Sequence, residues 1–259
     1  MNVDIIGTGF VGLTLGIALS NAGLKVTCWD IDKHKIENLK KGITDIKEPL
    51  IEKLILKNIK KKNLQFKISG EDEISEFVII SVGTQLVDSS SDSSTSNLFK
   101  IVSSLAKSNK IKYVVLRCTV SVGLTRKLHD KWGEKIQFIY APERTIEGNA
   151  MIELRKLPQI VGSDEMEVTS RVSQFFSFMT PTVVKVSNFE TAELIKLIDN
   201  CQRDVSFALS NEIAEIADKY SVSAYEVINS GKLGYPRTNL PDPGPVGGPC
   251  LEKDSYILS

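Results

Sequence analysis

The sequence predicts an α/β fold, a Rossmann-type parallel sheet domain followed by an all-helical domain built on one long central helix. Short apolar runs alternate with helix-length amphipathic segments over most of the chain. The runs are almost continuously hydrophobic, which marks strands buried on both faces of a parallel sheet. Past Val186 the strand signal gives way to one long pattern of period 3.6. The chain has 259 residues, enough for two domains of about 100–200 residues each, and the predicted division is 1–187 and 188–259.

In chain order, the strand candidates are Val3–Ile6, Val26–Trp29, Phe77–Val82, Tyr113–Leu116, Gln137–Tyr140 and Gln159–Val161. The helical patterns Phe10–Asn21, Lys33–Lys41, Leu98–Ser108 and Val168–Phe178 fall between or after them and make repeated βα units. From about Asn188 to Tyr220 apolar side chains recur at steps of three and four, from Leu194 through Cys201, Val205 and Ile213 to Ile216. Phe207 and Ala214 lie off that stripe and add apolar surface. A short helix over Ser223–Ser230 precedes a Gly- and Pro-rich stretch, Gly231–Pro249, where regular structure is not expected. Ser89–Ser96 has no apolar anchor and is expected to be a mobile loop. The lysines of Lys57–Lys62 fit a solvated helix end.

Apolar residues make up 42% and charged residues 25% of the chain, globular averages that exclude fibrous and wholly disordered classes. Thirty-two basic residues balance 32 acidic ones, which removes the electrostatic case for a nucleic-acid partner. No apolar run approaches the roughly 20 residues of a membrane span, and Met1-Asn2-Val3-Asp4 does not open a signal peptide. A cytoplasmic protein with no membrane partner is expected. Cys28, Cys118, Cys201 and Cys250 are far apart and form no ligand cluster, so no metal is expected.

Gly7-Thr8-Gly9-Phe10-Val11-Gly12 is G-x-G-x-x-G between the first strand and the first helix. In that context Gly7 allows the tight turn, Gly9 lets backbone approach a pyrophosphate, and Gly12 lets helix pack on strand. The phosphates would sit on the helix N-terminus. Asp30 ends the second strand 18 residues after Gly12, near the ~20 expected for the acid that accepts from an adenosine ribose diol. A carboxylate there repels a 2′-phosphate, which favours NAD over NADP, with Lys33 and Lys35 nearby as a counterweight. Capping of the helix from Lys33 is the alternative role for Asp30.

The two histidines, His34 and His129, lie among polar residues and are expected at the surface. Acid–base work would then fall to Lys, Asp, Glu or Cys. Cys28, Cys118 and Cys201 occupy packing positions. Cys250 differs, because it follows the bare loop Pro243-Gly244-Pro245-Val246-Gly247-Gly248-Pro249 and precedes Lys253 and Asp254. A nearby cation would lower its pKa.

Several ordered segments resemble motifs of the UDP-glucose/GDP-mannose dehydrogenase family. They are the glycine motif with Asp30, Val82-Gly83-Thr84, Cys118-Thr119-Val120-Ser121-Val122-Gly123, Ala141-Pro142-Glu143-Arg144, Glu147-Gly148, Lys196-x-x-x-Asn200 and Gly247-Gly248-Pro249-Cys250-x-x-x-Asp254. The resemblance covers essentially the whole chain. It implies oxidation of the C6 alcohol of a nucleotide sugar to a carboxylate, with two NAD used in succession and a thioester on Cys250. Lys196 would support developing oxyanions and Asn200 would hydrogen-bond the reacting oxygen. Asp254 and Thr119 would position water, Glu147 would serve in thioester hydrolysis, and Glu143 would lie near them. Thr84, Thr119, Glu147 and Lys253 would border the nicotinamide half of NAD, and Lys35 the adenosine end.

The family pattern has His before the cysteine where this chain has Pro249, and Pro where Gln85 follows Thr84. Family members continue into a C-terminal UDP-binding domain, and this sequence stops at Ser259, so the resemblance implies a chain apparently lacking that domain. Pro142-Glu143-Arg144 resembles members acting on N-acetylated UDP-hexosamines, and the expected substrate is a UDP-sugar, UDP-N-acetylhexosamine or UDP-glucose, feeding polysaccharide biosynthesis. The resemblance also implies a homodimer through the central helix. The alternatives are a two-electron β-hydroxyacid-type dehydrogenase, which needs no thioester, and a non-catalytic NAD-binding or dimerisation remnant.

Overall fold

A computed structural model describes residues 1–69, 74–83, 92–235, 237–248 and 251–258. The elements run β1 (Asn2–Ile6), α1 (Phe10–Asn21), β2 (Lys25–Asp30), α2 (Lys33–Lys40), α3 (Ile51–Lys60), β3 (Leu64–Ile68), β4 (Phe77–Ile80), α4 (Asp92–Leu105), β5 (Tyr113–Leu116) and α5 (Leu124–Trp132). They continue with β6 (Gln137–Tyr140), α6 (Ala150–Lys156), β7 (Gln159–Gly162), α7 (Met166–Phe176), β8 (Val183–Val186), α8 (Phe189–Lys219), α9 (Ala224–Gly231) and α10 (Leu251–Leu258).

The eight strands form one sheet in the order β3-β2-β1-β4-β5-β6-β7-β8. The first six are parallel, whereas β7 runs antiparallel to β6 and parallel to β8. The chain's direction across the sheet therefore switches between β1 and β4, and ligands of such sheets bind outside the carboxyl ends of the strands at that point. α1 is buried from Gly12 to Ser20 and carries no polar face, the composition of a helix enclosed by neighbours. Its three leucines and Ile17 join Val3, Ile5, Val26 and Leu64 in the main core.

Several elements differ from expectation. β3 and β8 are strands that no continuous apolar run announced. Asp92–Ser96 belongs to α4 and is not loop, while residues 89–91 lie outside the described ones. α2 is capped by Asp32, whose side chain accepts from the Lys35 amide at 3.0 Å, so that cap does not belong to Asp30. His129 is half-buried against the Phe138 and Phe189 rings rather than at the surface.

Chain contacts divide the molecule into Met1–Leu194 and Ile195–Ser259. Within the second unit the irregular stretch after α9 is tied to helices. Ser210 Oγ donates to the Pro241 carbonyl at 2.8 Å, Asn211 exchanges two hydrogen bonds with the Gly244 backbone at 2.8 and 3.0 Å, and Asn229 donates to Asp242 at 3.0 Å. Among the described residues no helix is long and apolar enough to cross a membrane, and no cluster could hold a metal ion.

Candidate functional site

The turn from β1 into α1 is fixed from two sides. The Gly7 amide donates to the Trp29 carbonyl at 2.8 Å, and Ser81 Oγ donates to the Gly7 carbonyl at 3.0 Å. Gly7 has φ +97, and a Cβ on Gly12 would stand 1.9 Å from the Gly7 oxygen, so neither position admits a side chain without moving the turn. At Gly9 a Cβ would meet nothing within 4 Å, and no side chain caps α1 there. Open space in front of uncapped N–H groups, with no acidic residue in the first turn, is what a pyrophosphate requires. Phe10 and Val11 supply backbone to this first turn and are half-buried.

A cleft of about 580 Å³ opens on the turn, lined among others by Gly7, Gly9, Trp29, Asp30, Lys35 and Val82, a volume suited to a cofactor-sized ligand. Asp30 Oδ2 accepts from the Thr8 amide at 2.9 Å and the Thr8 hydroxyl at 2.6 Å, and Oδ1 accepts from the Asp32 amide at 3.2 Å. Burial alone would raise its pKa, but these bonds and the Lys35 charge outweigh burial and lower it. A carboxylate offers about four acceptor positions, so the Asp30 anion keeps capacity for a diol hydroxyl. Trp29 forms the adjoining wall, with Nε1 donating to Asp4 Oδ1 at 2.5 Å.

Two loops follow β5 and β6. Thr119 is half-buried beyond buried Arg117 and Cys118. Arg117 donates to Glu143 Oε2 from Nε at 3.1 Å and from Nη2 at 2.6 Å, and to Gln159 Oε1 at 2.8 Å. Glu143 Oε1 accepts the amides of Arg144 and Thr145 at 2.8 and 2.9 Å. Burial pushes the Glu143 pKa up, but Arg117 and the two amides more than reverse this and hold it below the usual value. Glu143 is thus an anion committed to shaping its own loop. Four residues on, Glu147 is exposed.

In the second unit, Lys196 and Asn200 sit one turn apart on α8, the lysine half-buried and the asparagine buried. Asn200 Nδ2 donates to Asp254 Oδ2 of α10 at 2.5 Å. Asp254 is fully buried, and its Oδ1 meets no partner among the described residues. Lys253 is half-buried beside it. Thr84 and Cys250 lie outside the described residues.

Sequence reasoning passed over Ser81, Arg117 and Asn211. Ser81 and Arg117 each directly follow the last residue of a parallel strand, the position from which α/β sheets build their sites, and that placement was a readable signal. Asn211 acts on backbone 33 residues away and leaves no local trace.

Residues 1–180 match the family model described as UDP-glucose/GDP-mannose dehydrogenase family, NAD binding domain, and residues 190–259 match that family's central domain. The chain is 28% identical to the UDP-N-acetyl-D-mannosamine dehydrogenase of Methanococcus maripaludis, covering 99% of this chain and 60% of that protein. The solved UDP-N-acetyl-D-mannosamine dehydrogenase of Pyrococcus horikoshii is 29% identical, with a TM-score of 0.90 over 100% of this chain and 64% of that one. The Staphylococcus aureus UDP-N-acetyl-mannosamine dehydrogenase is 25% identical, with a TM-score of 0.81 over 99% and 64%. This chain spans 60–64% of the length of the curated relatives it matches. Two consecutive family domains matched along the sequence, on a sheet whose glycine turn and strand-end carboxylate suit a dinucleotide, place this chain in the UDP-glucose/GDP-mannose dehydrogenase family.

Proposed function

We propose that the chain oxidises the C6 alcohol of a UDP-sugar to the uronic acid, using two NAD and a thioester on Cys250. The observation that carries this reading is the buried Asn200–Asp254 hydrogen bond at 2.5 Å, which joins the Lys-x-x-x-Asn motif of α8 to the segment directly following the cysteine. A dehydrogenase that stops after one hydride transfer has no use for that cysteine motif.

The glycine turn and the first N–H groups of α1 would hold the pyrophosphate, and Asp30 the adenosine ribose. NAD, when bound, supplies the hydride acceptor. Lys196 stabilises the alkoxide and later oxyanions as a nearby cation, and Asn200 is held by Asp254 to meet the reacting oxygen. The buried Asp254 Oδ1, without a partner among the described residues, is an acceptor for a hydroxyl or a water. The Cys250 thiolate would add to the aldehyde carbon to give a thiohemiacetal, which would lose a proton from oxygen and a hydride from carbon to the second NAD to become the thioester. Water assisted by Glu147 would cleave that thioester to acid and free thiol. The names of the relatives favour a UDP-N-acetylhexosamine as substrate. The chain pairs with a second copy through α8, whose Ile198, Val205, Leu209 and Ile216 are exposed, as is Tyr220 directly after it.

The chain incubated with NAD and either UDP-N-acetyl-D-mannosamine or UDP-glucose should release two NADH per sugar consumed. One NADH per sugar would remove the thioester step, and none with any UDP-sugar would remove the reading itself.

A further inference from the structure

Glu48 lies between α2 and α3 and is 7% exposed, a buried acid in a segment without a motif. Its Oε1 accepts from the Gly148 amide at 2.5 Å and from the Ala150 amide at 3.2 Å, across about a hundred residues of chain. On the other side of Glu147, the Ile146 amide donates to Glu153 Oε2 at 2.8 Å. The two amides flanking Glu147 are therefore each held by a carboxylate, while the Glu147 side chain stands exposed. Gly148 has φ +88, a conformation that turns its N–H toward Glu48 and that a side chain would strain.

Glu48 is itself anchored. Ile46 and Ile51, on either side, pack into the main core, which also takes Met151 and Leu154 of α6. A carboxylate buried at one end of such a pair of segments and hydrogen-bonded at the other can only keep its geometry if the two move together. A neutral acceptor at Glu48 Oε1 would serve the same two amides, because both bonds end on one oxygen.

We propose that Glu48 is a positioning residue that fixes the backbone on which Glu147 is presented to the substrate. The proposal rests on the reading of Glu147 as an acting group, and its test separates the two. Amide hydrogen exchange is followed by NMR on the chain. The Gly148 and Ala150 amides should be protected although Gly148 is at the surface. Glu48→Ala should speed their exchange at least about tenfold, the factor for some 1.4 kcal/mol, and Glu48→Gln should keep most of the protection. Turnover is then compared in two backgrounds. Glu48→Ala should lower kcat by roughly 10–100-fold, as misplacement of an acting group does, with little change in NAD affinity, and should lower it no further once Glu147→Gln is present.

Unprotected Gly148 and Ala150 amides in the unaltered chain would overturn the proposal, and that measurement needs no variant to fold. Equal losses from Glu48→Ala with and without Glu147→Gln would overturn action through Glu147. A chain without turnover would count against the functional reading alone, and the exchange comparison would still decide whether Glu48 fixes the segment.

Discussion

Asp30 and Glu143 show two uses of a carboxylate at a strand end. Asp30 keeps acceptor capacity toward the cleft, and Glu143 has none to spare. Asp30→Asn retains acceptors but removes the charge that repels a 2′-phosphate, so the preference for NAD over NADP should narrow by about 10–100-fold, the weight of a charged hydrogen bond. Titration calorimetry with both nucleotides checks this, and equal affinities in the unaltered chain would remove Asp30 from the ribose site. Glu143 and Glu193 should respond oppositely to pH. With its folded pKa below the usual 4.5, Glu143 stabilises the fold above that value and loses this contribution as pH falls through the folded pKa. Glu193 accepts from the Gly123 and Thr125 amides and the Thr125 hydroxyl, yet burial outweighs these bonds and raises its pKa. Its contribution is present below 4.5 and is lost as pH rises through the folded pKa. In urea titrations the stability deficit of Glu143→Gln should grow from about pH 4 to about pH 6, and that of Glu193→Gln should shrink; parallel trends would refute the assignment. Asp30 and the glycines were legible in the sequence because their work is local. Arg117 was marked only by its place directly after β5, and Glu48 and Glu193 were not legible, because each is defined by partners far along the chain.

At the scale of elements, the sequence announced what is buried on both sides. α1 was expected over the very residues it occupies, and β4 to β7 stood out as apolar runs. β3 alternates Leu64, Phe66 and Ile68 with Gln65 and Lys67, and β8 reads Val-Val-Lys-Val with Val184 and Lys185 exposed. Both are edge strands, and an edge half open to water needs no continuous apolar run. The reversal at β7 has no local signature, because strand direction is decided by the connection and not by composition. Among the described residues Leu50, Lys62 and Ser221 are non-glycine residues at positive φ. Leu50, the residue before α3, has φ +62 and is 69% exposed, in a region that costs an L-residue about 1–2 kcal/mol. Leu50→Gly relieves this and gives back about 0.5–1 kcal/mol in unfolded-chain freedom, so a net gain near 0.5–1 kcal/mol is expected. A urea midpoint that does not rise would refute the assigned strain.

At the scale of the whole molecule, several positions of the apolar stripe that the periodicity marked along α8 face outward. Phe207 and Ala214 are half-buried, whereas Ile198, Leu209 and Tyr220, and likewise Val205 and Ile216, recur every eleven residues on the exposed side. An eleven-residue repeat stays nearly in line along a helix, so these side chains form a straight seam, and the proposed pairing through it would have two-fold symmetry. Light scattering should give twice the chain mass, and Ile198→Lys with Leu209→Lys should halve it without changing helix content by circular dichroism. A single-chain mass for the unaltered protein would refute the pairing. The wall of the cleft at the glycine turn has an optical consequence. The chain has two tryptophans; Trp29, buried against Asp4, lines that cleft, and Trp132 ends α5 and is not among its lining residues. Indole emission overlaps the absorption of reduced nicotinamide, so NADH arriving beside Trp29 should dim the intrinsic fluorescence, with Trp132 as the internal reference.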